Sequence, residues 1–290
     1  MNTTQVLTVA ALGLLCFGPA AASTLYGTDY NPGSVSSLYI LNTSTGVATR
    51  VGSTGITNIG DLTSNQVSTI WAVQLSTDDL VTINPETGAG TVGPTIMGVG
   101  LSDSDPIASI AWDPVTGVLY GNTSVGYGAA ADTLYSIDPT TGAATMIGRL
   151  GFSDVYALGF GQDGTLLGVE DADSEGALIS INLTTGAGTL VGDSGLEGIF
   201  DIASDPAGSG LYAADGNNFS LYKLNVATGA GTLVGSYEAD ANIAGLAFLA
   251  PASAVPEPGT IVLLTAGLVL TGFAMRLFRQ RARIRATIES

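Results

Sequence analysis

LISINLTTGAGTLVG, residues 178–192, is one of five variants of a single stretch in this 290-residue chain. The others are LYILNTSTGVATRVG at 38–52, LVTINPETGAGTVG at 80–93, LYSIDPTTGAATMIG at 134–148 and LYKLNVATGAGTLVG at 221–235. Each opens on Leu and continues with apolar residues at alternating positions, the periodicity of a strand. An Asn or Asp closes that run (Asn42, Asn84, Asp138, Asn182, Asn225), and Thr-Gly follows. The Asx side chain accepts hydrogen bonds from the turn backbone, and Pro85 or Pro139 presets φ where present. The Gly supplies the left-handed residue that a short hairpin loop needs. A second short strand then returns and stops at another Gly in the same pattern. Each copy therefore reads as a β-hairpin.

The turn glycines Gly46, Gly88, Gly142, Gly186 and Gly229 are 42, 54, 44 and 43 residues apart. That period suits a four-stranded propeller blade and exceeds one coil of a β-helix. Two more strands flank each hairpin. One reads LYGTD (25–29), IWAVQ (70–74), LYGNT (119–123), LLGVED (166–171) and LYAAD (211–215). The other reads IASIAWDP (107–114), VYALGFGQDG (155–164), IFDIASDP (199–206) and IAGLAFLAP (243–251), with a poorer copy at 56–62. The order within a repeat is inner strand, tight turn, second strand, loop, Leu strand, Thr-Gly turn, outer strand. The first repeat lacks its inner strand and the last ends with a spare one at 243–249. Pairing the two closes a ring and removes exposed sheet edges. The expected fold is an all-β, five-bladed β-propeller over residues 23–251, with an open stack of five repeats as the alternative.

Composition narrows the function. The net charge is −17, yet five of the eight basic residues (Arg276, Arg279, Arg281, Arg283, Arg285) crowd the C-terminus. Only Arg50, Arg149 and Lys223 serve the region before it. Nucleic acid is excluded as a partner, because neutralising phosphates takes Lys and Arg. There is no His and the one Cys is Cys16, so Ser-His-Asp triads, Cys nucleophiles in the folded domain and the usual zinc sites are excluded.

The two ends carry targeting features. Residues 6–17 are apolar and Ala20-Ala21-Ala22 follows, which reads as a signal peptide over 1–22, cut after Ala22 by signal peptidase. At the other end, residues 252–260 form a Pro/Gly-containing linker with Val255-Pro256-Glu257-Pro258. An apolar helix at 261–275 and a basic tail at 276–290 follow. Counted from Gly259, the uncharged run is seventeen residues, the short end of what spans a bilayer. The Arg cluster orients the acidic domain outward under the positive-inside rule.

That order of VPEP, short apolar helix and basic end resembles the PEP-CTERM sorting signal of exported Gram-negative bacterial proteins. The same tail is sometimes labelled an ice-binding protein C-terminal domain. The resemblance implies recognition by an exosortase-type sorting enzyme, processing near Pro256–Pro258, and delivery to the cell surface or an extracellular polysaccharide matrix. It covers about thirty-five residues and implies nothing about the propeller.

Candidate chemistry sits in the connections. The longer second repeat owes its extra residues to 94–106 and 124–132, expected to emerge on one face, opposite the Thr-Gly turns. Asp171, Asp173 and Glu175 before Gly176 alternate as calcium-loop ligands do. Asn182 stands where an EF-hand needs its bidentate Glu, so an EF-hand is out and a solvated acidic hairpin loop is the competing reading. Asp29 and Asp215 end the equivalent strands, and Asp103 and Asp105 lie in the long loop. Tyr30 and Tyr127 are candidates for stacking on sugar rings or for packing on neighbouring loops. The expectation is a non-enzymatic, membrane-anchored surface or matrix protein. Calcium-assisted binding of a polysaccharide or surface protein is the alternative, and a polysaccharide-acting enzyme the third.

Overall fold

The computed structural model describes residues 22–98, 100–101, 106–124, 131–171, 175–237 and 241–250, and all its regular structure there is β. The expected signal peptide, linker, sorting motif, membrane helix and basic tail lie outside these residues. Strands β1 (Thr24–Asp29), β2 (Val35–Leu41) and β3 (Ala48–Thr57) come first. They are followed by β4 (Ile59–Ser64), β5 (Ile70–Gln74), β6 (Asp79–Ile83), β7 (Gly90–Thr95) and the short β8 (Met97–Gly98). Next come β9 (Ile107–Trp112), β10 (Leu119–Thr123), β11 (Thr133–Ile137) and β12 (Ala143–Arg149). The fourth set is β13 (Val155–Phe160), β14 (Leu166–Glu170), β15 (Ala177–Ile181) and β16 (Gly188–Asp193). The last comprises β17 (Ile199–Ser204), β18 (Leu211–Asp215), β19 (Ser220–Leu224), β20 (Gly231–Ser236) and β21 (Ile243–Leu249).

These strands make five antiparallel meanders, and the first is completed by the C-terminal strand in the order β21-β1-β2-β3. Register is continuous from Thr24↔Leu249 to Thr28↔Gly245. The inner strands contact one another in the closed circuit β21, β4, β9, β13, β17 and back to β21. The ring is therefore closed with five blades, and the open stack is not adopted. Five apolar clusters occupy the five seams between adjacent blades. Each inner or second strand thus packs against a neighbour on both faces. Strand β18 is buried at every residue and β21 at every residue, where alternation alone implied one wet face.

The hairpins form as their residues dictate. Asn182 Oδ1 accepts the Thr184 and Thr185 N–H groups at 2.9 and 3.0 Å, and Gly186 takes φ 78°. Asn42 and Asn84 hold their turns in the same way. In Asp138 the same hydrogen bonds, with Thr140 first, hold the carboxyl below the ordinary range. The turns do more than reverse the chain. A Cβ on Gly52, Gly148, Gly192 or Gly235 would collide with the carbonyl of Thr87, Thr185, Thr228 or Thr45 respectively, each in the next blade's Thr-Gly turn. The second Gly of the motif therefore lets one blade's outer strand seat against the next blade's turn, backbone against backbone. In the second blade Pro94 interrupts the pattern, and Gly142 faces the Thr95 carbonyl instead.

One strand was absent from the sequence reading. Within 94–106, β8 lies parallel to β12, pairing Met97 with Ala143 and Gly98 with Ala144. Gly98 allows this approach, since a Cβ there would meet the Ala144 carbonyl. The long connection thus adds a fifth strand to the third blade.

Candidate functional site

The inner strands align as IGDLTS, IASIAW, VYALGF, IFDIAS and IAGLAFL. In every one the ladder skips the second residue. Ile59 pairs with Gln74 and Asp61 with Val73, which leaves Gly60 without a cross-strand partner. Ala108, Tyr156, Phe200 and Ala244 are skipped in the same way. A bulge of this kind leaves the extra residue's peptide groups out of the ladder and re-aims its side chain.

These five bulged residues, one per blade, line a funnel of about 280 Å³, together with Tyr30, Leu75, Pro106 and Ser124. The position is small in three blades and aromatic in the neighbouring fourth and fifth. Tyr156 is 39% exposed. Phe200 rests on the bare Cα of Gly216, where a Cβ would strike its ring. Gly60 likewise leaves room for the Leu75 side chain. Ser124 Oγ is buried without a hydrogen-bond partner. The funnel belongs to the face where inner strands begin and second strands end, which is where the long connections were expected to emerge.

The third inner-strand position closes the axis beyond the funnel. It is occupied by Asp61, Ser109, Ala157, Asp201 and Gly245. Asp61 Oδ2 accepts the Ile110 N–H of the next blade at 2.6 Å. Asp201 Oδ2 accepts the Leu246 N–H at 2.5 Å and, past side-chain-less Gly245, the Leu62 N–H at 3.4 Å. Asp201 Oδ1 accepts the Ile202 N–H at 2.6 Å. Both aspartates are fully buried. Burial pushes the Asp61 carboxyl up to about 6 against the opposing pull of its hydrogen bonds. Burial first, and the facing Asp61 charge second, push Asp201 well above the ordinary range. Two facing carboxyls raised at full burial favour keeping a proton on the pair, because both cannot ionise cheaply there. Four backbone N–H groups already face this pair, so its chemistry is that of a shared-proton plug that satisfies inward-pointing donors. It is an unpromising metal centre for the same reason.

The sequence-derived candidates are dispersed. Both Asp171 oxygens lie 3.2 Å from the Gly198 N–H of the next blade. Burial raises the Asp171 carboxyl, aided by the charges of Glu197, Asp215 and Asp154. Glu175 contributes its backbone carbonyl to Ser194, Gly195 and Leu196. Asp173, Asp103, Asp105 and Tyr127 lie outside the described residues. Asp29 accepts the Ser37 N–H and the Tyr39 hydroxyl, and Asp215 accepts from Asn218. Among the described residues no group of three or more acidic, His or Cys side chains is placed to hold a metal. Tyr30 is the one candidate that the fold brings to the funnel. Sequence reasoning missed Tyr156, Phe200, Asp61 and Asp201. Comparing the five inner strands column by column, rather than as strands, exposes all four.

Residues 254–280 match the PEP-CTERM protein-sorting motif. The chain thus couples a five-bladed propeller to a C-terminal sorting signal, one that implies export, membrane anchoring at the C-terminus and processing by an exosortase-type enzyme. The fold is similar to the crystal structure of a nidogen/laminin complex, with TM-score 0.50, 15% identity, and 78% of this chain and 85% of that chain covered. TolB from Acinetobacter baumannii aligns with TM-score 0.47 and 14% identity over 73% of this chain and 52% of that one. A protein of unknown function from Bacteroides caccae aligns with TM-score 0.44 and 13% identity over 76% and 75%. At such identities the likeness is one of fold. No curated protein sequence matches the chain.

Proposed function

We propose that this protein is a non-enzymatic binding module displayed at the surface or in the extracellular matrix of a Gram-negative cell, taking its ligand at the funnel. The observation that carries this reading is the funnel itself. All five blades contribute the same bulged position to it, and two of them place aromatic side chains there, Tyr156 with 39% of its surface exposed. The sorting motif supports the location, because it follows the ring-closing strand directly in sequence. A purely structural matrix role predicts no dependence on the funnel. Doubly substituting Tyr156→Ala and Phe200→Ala is therefore expected to release the protein from the extracellular fraction while leaving its melting temperature within about 3 °C of the parent. Unchanged retention in that fraction favours the structural role.

The calcium reading of Asp171, Asp173 and Glu175 has its own test. Millimolar calcium is expected to raise the melting temperature if the loop takes the ion, and Asp171→Ala with Asp173→Ala to abolish the rise. No shift with calcium assigns the loop to solvated acidic surface.

A further inference from the structure

The chemistry of the funnel wall selects among ligands. Among the described residues, none that lines it is charged. The basic side chains of the described region are engaged elsewhere or sit on other elements: Arg50 Nε donates to Ser37 Oγ at 3.1 Å, and Lys223 Nζ lies 4.8 Å over the Tyr212 ring. Asp154, Asp171, Glu197 and Asp215 act on one another electrostatically on the fourth and fifth blades. An anionic ligand therefore meets an acidic surround with no cation to offset it. A cationic ligand finds no carboxylate among the described residues of the wall.

Between uncharged ligands, the mixed wall decides. Gly60, Ala108, Tyr156, Phe200 and Ala244 fall out of the ladder's register, and the wall that they line exposes polar groups beside its apolar ones. A wholly apolar occupant would take water from these groups and return nothing, which is costly. A ligand with one apolar face and a rim of hydroxyls answers both halves of the wall. We propose that the funnel is a subsite for the ring of an uncharged sugar, stacked on Tyr156 and Phe200, with its hydroxyls toward the polar groups of the wall. This rests on the reading of the funnel as the binding site.

Saturation-transfer NMR on the full chain in a sugar-free detergent tests it. The probes are methyl α-glucoside, methyl β-galactoside and N-acetylglucosamine, with glucuronic acid, glucosamine and p-cresol as charged and apolar counterparts. At least one neutral sugar is expected to receive saturation, and to do so equally in EDTA. Its affinity is expected to fall about tenfold in Tyr156→Ala and to recover in Tyr156→Phe, as loss and return of a stacking face require. Substituting Val92→Ala on an outer strand is expected to change nothing. Binding of p-cresol alone, or a preference for either charged sugar, overturns the sugar assignment and leaves the funnel a binding site. Sugar binding that Tyr156→Ala does not weaken overturns the assignment by placing the sugar elsewhere. Failure of every probe, together with normal matrix retention of the double variant, overturns both.

Discussion

Gly235→Ala is expected to lower the melting temperature by about 10 °C, although it adds one methyl group at the molecule's perimeter. The methyl has nowhere to go. It would collide with the Thr45 carbonyl oxygen and carbon, which belong to the first blade's turn and cannot rotate aside as a side chain would. The collision sits on the seam between the fifth and first blades. Opening that seam also disturbs the cluster holding Leu25, Tyr212 and Phe248. Overpacking against a fixed backbone costs roughly 3 kcal/mol, and each kcal/mol moves the midpoint of a domain this size by about 2–4 °C. Gly164→Ala provides the contrast. Gly164 has φ 81° with no atom near its missing Cβ, so the substitution meets left-handed strain alone, about 1 kcal/mol. Scanning calorimetry separates the two. Equal losses at Gly235 and Gly164 would show that blade-to-blade seating contributes nothing.

The second large effect is at the axis. Asp201→Ala removes the acceptor of the Leu246, Leu62 and Ile202 N–H groups at a fully buried position. Three stranded donors are expected to cost about 3 kcal/mol or more. Asp201→Asn keeps an acceptor for the backbone and a donor toward Asp61, and is expected to cost much less. The pair also sets a pH dependence. A carboxyl that holds its proton more tightly in the fold than in the unfolded chain stabilises the fold fully below the ordinary carboxylate range. That contribution is lost as pH rises through the folded value, about 6 for Asp61, with Asp201 likewise raised well above the ordinary range. From Asp61 alone, stability is therefore expected to fall by about 1 kcal/mol between pH 5 and 8, read from denaturant midpoints. Asp201→Asn is expected to flatten the slope. Asp163 and Asp205, which hydrogen bonds hold below the ordinary range, lose their contributions only under more acid conditions. A stability that climbs from pH 5 to 8 contradicts the shared proton.

The ring was legible because its signals are local and repeated. Asx-x-x-Thr-Gly encodes its own turn through Asn182 or Asp138, and the missing inner strand before Leu25 matched the spare one at Ile243. The funnel was not legible, because it is assembled from one residue per blade, some 45 positions apart in sequence. Tyr156 and Phe200 read simply as strand apolars until the bulge turned them to the axis. Asp61 and Asp201 gave no pattern of acidic spacing, since they meet across the ring from the second and fifth blades. The acidic loop drew attention by composition, yet Asp171 spends its carboxylate on the backbone of the following blade. Likewise, the outer-strand Gly read as a strand stop, whereas its lack of a side chain is what the neighbouring turn requires.

The account stands on a propeller exported and sorted through its C-terminal signal, and intact-mass spectrometry of the mature protein from fractionated cells tests that directly. The expected species begins at Ser23, ends near Pro256–Pro258, and is recovered outside the inner membrane. A chain that still carries Arg285 and remains in the inner membrane would contradict it.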